Sequence, residues 1–448
     1  MMEHDVSILK ELLENKRYLE LRSALAEMNE VNIALFLTEL SNEGAVLAFR
    51  TLPKGLAAEV FANLDPDMQQ FIIESITDYE IRVMIEDLYI DDAVDMLEEM
   101  PASIVKRVLK NAQPDTRTLI NQFLQYPEDS AGSIMTAEFT DLDRGMSVGN
   151  AIERIRRTGE DAETIYTCYV IDRNRILEGV VTVKDLLLAK DETLIEDLME
   201  TDIVLARTTD DREQVARQFS TYGLLSIPVV DHENRLVGIV TVDDAVEVIE
   251  QEATEDFEKM AAMLPSERPY LKTGVLELSK NRIPWLLFLM VSGMITGFVL
   301  GNFEAAFSAV PLLVTFIPML TDTGGNSGAQ ASTLVIRGLA VGEITARDAS
   351  KILWKEARIG LIVGFVLSVV NFVRLLITHP ESPMMALTVA LALYAAVIVA
   401  KTVGSMLPML AQKFKLDPAL TAAPLITTIV DAVALVIYFS LAGILLHL

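Results

Sequence analysis

Asp431 lies near the middle of residues 419–446, a run with no other charged side chain. A carboxylate in such a setting is costly. It normally faces a bundle interior, an ion pathway or an opposite charge. Hard divalent cations prefer oxygen and shed water reluctantly, so a lone carboxylate there suits a partly hydrated ion. The competing reading is a structural ion pair with Lys401, the one charge in the apolar run 384–410. A second apolar run, 305–336, is interrupted by Asp322 and by Thr323, Gly324, Gly325, Asn326, Ser327 and Gly328. Irregular backbone at membrane depth is tolerated where it is buried in protein or lines a cavity. The run therefore predicts a broken helix whose carbonyls and Asn326 amide meet hydrated cations. The alternative is small residues packed at a helix crossing. Asp417 precedes Pro418 and so reads as the N-cap of a helix.

Two acidic clusters lie outside the apolar runs. Glu86, Asp87, Asp91, Asp92, Asp95, Glu98 and Glu99 follow one another with no base between Arg82 and Lys106. Asp243, Asp244, Glu247, Glu250, Glu252, Glu255, Asp256 and Glu258 precede Lys259. On a helix, Asp91/Asp95 and Asp243/Glu247 are i,i+4 pairs that repel. A solvated helix face would tolerate that repulsion, and so would a face bridged by divalent cations.

The elements that must carry these groups fall into two halves. The chain has 448 residues, a formal charge of −27 and a mean hydropathy of +0.35. Residues 276–448 hold nine acids and eleven bases, or +2, which leaves −29 for residues 1–275. Such an acidic half argues against nucleic acid or anionic lipid as its partner and for cations. A single cysteine, Cys168, excludes an intrachain disulfide and a cysteine-based metal site. No Ser/His/Asp or Cys/His constellation is apparent, so an enzyme is not expected. The Gly-rich run lacks the Gly-Lys-Ser/Thr ending of a phosphate loop.

The 21 uncharged residues 283–303, together with 305–336, 359–378, 384–410 and 419–446, predict five transmembrane helices, each long enough for about 30 Å of hydrocarbon. Lys272, Lys280 and Arg282 precede the first. Arg337, Arg347, Lys351, Lys355 and Arg358 join the second to the third, and Lys413 and Lys415 join the fourth to the fifth. The remaining loops offer Arg374, so the basic loops and the N-terminus are expected in the cytoplasm and the C-terminus outside.

Residues 5–130 read as a solenoid-like array of short helices. Pro53 and Pro101 are 48 apart, as are Pro66 and Pro114, each at an expected helix start. Residues 131–250 carry a second repeat. Tyr169-Val170-Ile171-Asp172 leads to Gly179-Val180-Val181-Thr182-Val183-Lys184-Asp185, and Pro228-Val229-Val230-Asp231 leads to Gly238-Ile239-Val240-Thr241-Val242-Asp243-Asp244. Each copy is strand, turn, strand and helix with an acidic first turn. This pattern resembles a tandem α/β CBS pair. Residues 251–280 are expected to form a charged connecting helix, leading into a transmembrane domain at 281–448.

That order, with Pro318-Met319-Leu320-Thr321-Asp322 running into the Gly-rich stretch, Asp417-Pro418-Ala419-Leu420 and Thr427-Thr428-Ile429-Val430-Asp431, resembles the MgtE family of magnesium transporters across almost the whole chain. The resemblance implies a plasma-membrane homodimer with a pore between subunits, closed by a cytosolic domain when internal magnesium is high. It implies pathway roles for Asp431, Asp417, Asn326 and the Thr427 carbonyl. It implies regulatory magnesium at Glu59, Asp91, Asp95, Glu213, Asp244, Glu247, Glu252, Glu255 and Asp256. One acidic position of the family is Gly223 here. CBS pairs also imply an adenine nucleotide such as ATP, at positions matching Thr167, Lys184, Asp185 and Leu224. Asp185 would hold ribose hydroxyls, but Thr167 and Leu224 lack the expected aromatic rings. Other readings are a CBS-regulated transporter of cobalt, manganese or nickel, and an anion transporter. The latter class usually places its CBS modules after the membrane part.

Overall fold

The computed structural model describes residues 3–266, 270–303, 310–421 and 423–447. The side chains of residues 3–5, 421 and 423 are not described. Contacts divide the chain into two compact units, Met1–Ile249 and Glu250–Leu448.

The first unit opens with ten short helices, α1–α10, between Glu3 and Phe123. Their starts are specified locally. Asn29, Ser41, Asp65 and Thr77 each accept a backbone N–H in the first turn of the helix they cap, and Thr77 and Glu80 form a reciprocal capping box. The expected prolines sit at helix starts. Pro53 and Pro101 occupy N-caps, while Pro66 and Pro114 take first helical positions. Helices two apart stack, α3 (Glu30–Thr38) on α5 (Lys54–Ala62), α5 on α7 (Asp78–Asp87) and α7 on α9 (Ala102–Asn111). The stack is solenoid-like.

Two three-stranded sheets follow. In the first, β1 (Phe139–Leu142) pairs parallel with β2 (Thr164–Ile171), which pairs antiparallel with β3 (Leu177–Thr182). The second repeats that order with β4 (Ala206–Arg207), β5 (Ser226–Val230) and β6 (Leu236–Thr241). The repeat extends to turn chemistry. Asp172 Oδ1 accepts from Asn174 N and Ile176 N, and Asp231 Oδ1 accepts from Glu233 N and Arg235 N. Each turn holds one residue at positive φ, Arg175 at 66° and Asn234 at 62°. Buried Tyr169 donates to or accepts from Ser226 at 2.6 Å and so ties the two sheets together.

The second CBS helix does not stop at residue 250. α14 runs unbroken from Val242 to Met260, and α15 begins at Val275 and continues to Gly301. The expected connecting helix over 251–280 is thus corrected. Its first part belongs to α14, its last part to α15, and the described residues between them include turns. No glycine or proline interrupts 242–260, so nothing local ends that helix earlier.

The second unit contains α15, α16 (Ile317–Ala340), α17 (Ala349–Thr378), α18 (Pro383–Lys413) and α19 (Ala423–Leu446). Four of them, α15, α17, α18 and α19, are long and apolar enough to cross a membrane. α18 lies at the centre, packed on α16, α17 and α19. α15 touches α19 and has no buried residue. α16 corrects a second expectation, because 323–328 is helical throughout. Its glycines serve close packing. A Cβ on Gly325 would come within 2.9 Å of Thr427, and one on Gly328 within 2.7 Å of Ile426 and 3.1 Å of the Ala400 carbonyl. Contact on two sides outweighs the roughly 1 kcal/mol that each interior glycine costs a helix.

Candidate functional site

The acidic clusters converge within the first unit. α8 (Ile90–Glu98) presents Asp91, Asp92 and Asp95, and the first turns of α14 present Asp243, Asp244 and Glu247. Glu163 and Glu138, each just before a strand, join them. Burial, then the Asp244 and Asp92 carboxylates, push the buried Asp91 carboxyl well above its ordinary range. Burial and Asp243 raise Asp92 to about 6. Burial and then Glu247 raise Asp95 to about 8, although the residue as a whole is exposed. Glu163 reaches about 8 through burial, Asp243 and Asp244. Asp244 is raised to about 6 chiefly by burial, against the lowering effect of its bonds from Thr241. Tyr89 is pushed up to about 12 by burial and then by Glu163 and Glu59, so Glu59 lies within reach of the same cleft. Among the described residues, no three His, Cys, Asp or Glu side chains close up as a preformed metal cage. The carboxylates share a field without sharing a coordination sphere.

The remaining residues singled out in the acidic half are placed differently. Glu213 is paired with Arg217 one turn along its own helix. Glu255 is paired with Lys259, while Glu252 and Asp256 lie on the same later part of α14. Asp185 closes a capping box with Thr182 on α12 (Val183–Leu188), the counterpart of the Asp244–Thr241 bonds, and Lys184 beside it is exposed.

In the second unit, Asp431 and Thr427 lie one turn apart on α19, both half-buried. The charge nearest in effect to Asp431 is Asp322 on α16. Asp322 accepts from Asn326 Nδ2 at 3.1 Å. These two residues, with Gln330, Thr333 and Arg337, form an exposed, mainly polar stripe on α16 at intervals of three or four residues, with exposed Leu334 beside it. The ion pair between Lys401 and Asp431 is not present. Lys401 Nζ donates instead to Gln330 Oε1 at 3.1 Å, because α18 packs against α16 at that level. Asp417 does act as a cap, its Oδ1 accepting from Ala419 N at 2.8 Å. It also accepts from Lys259 Nζ at 2.7 Å, and neighbouring Met260 packs on Ile336 and Ala419. Partial burial works against the Lys259 charge, but the bonds to Asp417 and Glu255 outweigh it and hold the ammonium protonated.

A magnesium transporter MgtE of Thermus thermophilus is 36% identical over 100% of both chains. This chain belongs to the MgtE family. A second MgtE magnesium transporter, from Bacillus subtilis, is 31% identical over 97% of this chain and 96% of its own. The family's intracellular N domain profile matches 28–129, CBS profiles match 131–192 and 195–251, and the divalent cation transporter profile matches 317–441. Among solved structures, the soluble part of a magnesium transporter superposes with a TM-score of 0.54 at 29% identity, covering 56% of this chain and all of that one. The cytosolic domain of the Mg2+ channel MgtE in complex with ATP gives 0.52 at 36% identity, covering 54% and 99%.

Gln330, Glu163 and Glu138 are not singled out by the sequence, whereas Asp322, Asp92 and Asp243 stand out there as charges in a run or cluster without a pathway or regulatory role. Asp322 was legible as a charge inside an apolar run. Glu163 and Glu138 stand apart from either acidic cluster and carry no local signal.

Proposed function

We propose that this chain is a magnesium transporter of the plasma membrane that works as a homodimer, with the cation pathway between two copies. The observation that carries this reading is the exposed stripe Asp322–Asn326–Gln330–Thr333–Arg337 on a helix of a largely apolar bundle. Lipid cannot satisfy such a face, so a second copy and water are its natural cover. Asp322 and Asp431 then offer two carboxylates per subunit to an ion that keeps much of its water. All five long helices cross the membrane in this reading, with the N-terminus cytoplasmic and the C-terminus outside. The acidic half, at −29 over residues 1–275, senses magnesium: hydrated ions bridging α8 and α14 replace repulsion with attraction. Magnesium shifts that balance only through greater affinity for the bridged form.

The test is magnesium uptake into proteoliposomes. Asp431→Ala should reduce uptake at least about tenfold, the loss of a charge contact of roughly 1.4 kcal/mol or more, while the protein stays folded and dimeric. Normal uptake by such a protein would remove Asp431 from the pathway. Competition among magnesium, manganese, cobalt and nickel in the same vesicles decides the cation. Support for ATP comes from the CBS repeat and from the ATP-bound relative. Here the Asp185 carboxylate already accepts from Thr182, so ribose binding would share that cap. Titration of ATP against Asp185→Ala reads this directly.

A further inference from the structure

Lys401 brings into the bundle a charge that the pathway as described does not use. It is 5% exposed and stands in the middle third of α18. Its Cβ would stand in ordinary contact, 3.5 Å, with a Cβ on Gly360 of α17, so the lysine stem runs along that helix where α17 packs closely on Ile398. The tip reaches the opposite helix, α16, where Nζ donates to Gln330 Oε1 at 3.1 Å. Gln330 is exposed and belongs to the polar stripe. Buried Glu356 sits one turn from Gly360 on the same face of α17, where no ion pair joins it to Lys401 among the described residues. A methionine would fill this slot without the cost of burying an ammonium. One amide oxygen satisfies only part of the three-donor ammonium.

We propose that Lys401 is a selectivity-determining residue of the pathway, placing a fixed positive potential at the level of Gln330. The inference rests on the reading of the α16 stripe as pathway lining. An ion's energy in a fixed potential scales with its charge, so the factor by which Lys401 weakens a divalent cation's binding is the square of that for a monovalent one. Its use is release. Acidic residues that hold a doubly charged ion too tightly would stop conduction, and a nearby positive charge shortens the dwell.

The test uses the full-length protein in proteoliposomes, with Lys401→Gln, Lys401→Met and Lys401→Arg. The half-saturating Mg2+ concentration should fall on the order of tenfold in the Gln and Met variants, while Na+ competition strengthens about threefold, the square-root relation. Lys401→Arg should keep both values. Equal factors for the two ions, or none, would overturn the inference. So would a failure of both neutral variants to fold while Lys401→Arg folds, since the lysine would then be structural. Asp431→Ala separates the two readings. If it stops uptake and the Lys401 variants show no charge dependence, only this inference fails; if it transports normally, the pathway itself is misplaced.

Discussion

Gly328 shows how little a residue's type says until its neighbours are known. In the sequence, three glycines within 323–328 look like a place where a helix gives way, because glycine is a poor helix former. In the structure Gly328 is pressed between α18 and α19, and the glycines are what allow α16 to stay whole. Gly328→Val should therefore destabilise the bundle by about 1–3 kcal/mol, as overpacking of a close contact does. Gly293→Ala in α15, where an added Cβ meets nothing within 4 Å, should be neutral or slightly stabilising. Thermal unfolding in detergent distinguishes the two. Lys401 has the same lesson. Its charge and depth were legible in the sequence, but its choice of Gln330 over Asp431 depends on which helices meet, and that is long-range information.

At the scale of elements, the α8–α14 cleft couples protons to metal. The raised Asp92, Asp95, Glu163 and Asp244 carboxyls bind protons more tightly folded than unfolded. The stability they contribute is complete below their unfolded values near 4 and is lost as pH climbs through about 6 to 8. Without divalent cations, the unfolding temperature of the acidic half should fall across that window, and magnesium should restore it at pH 8. Magnesium added at pH 6–7 should release protons, measurable by calorimetry in buffers of different ionisation enthalpy. A flat profile in chelator would make the cleft ordinary solvated surface. The acidic groups on α8 and α14 were readable from the two charge clusters and, for α14, from the strand–turn–strand–helix repeat that precedes it. Glu163 was not, because the β1–β2 pairing delivers it to the cleft and nothing in its neighbourhood announces that.

For the whole molecule, the charge division that set the sequence reading predicts orientation. Basic residues cluster at and before the start of α15, around the α16–α17 junction, and around the α18–α19 junction, with Arg374 the exception. A reporter fused after Leu448 should read as external, and a cytoplasmic signal would mean that α16, the one long helix outside the four most apolar, does not span. The order of modules was plain from composition and repeats. Where one element yields to the next was less so, and α14 is the instance: its periodicity continues through 251–260 because nothing in those residues ends it.

That continuity makes α14 a screw thread. Asp244 near one end belongs to the acidic cleft, and Lys259 near the other grips Asp417. Fifteen residues separate them, about four turns and 22 Å at the regular pitch. A helix with no hinge keeps a regular phase along its own axis. One alanine inserted after Glu252 would leave every contact residue in the chain and yet change the phase between Asp244 and Lys259 along the helix by about 100°. In this part of the chain the count of residues is itself a structural parameter, independent of what those residues are.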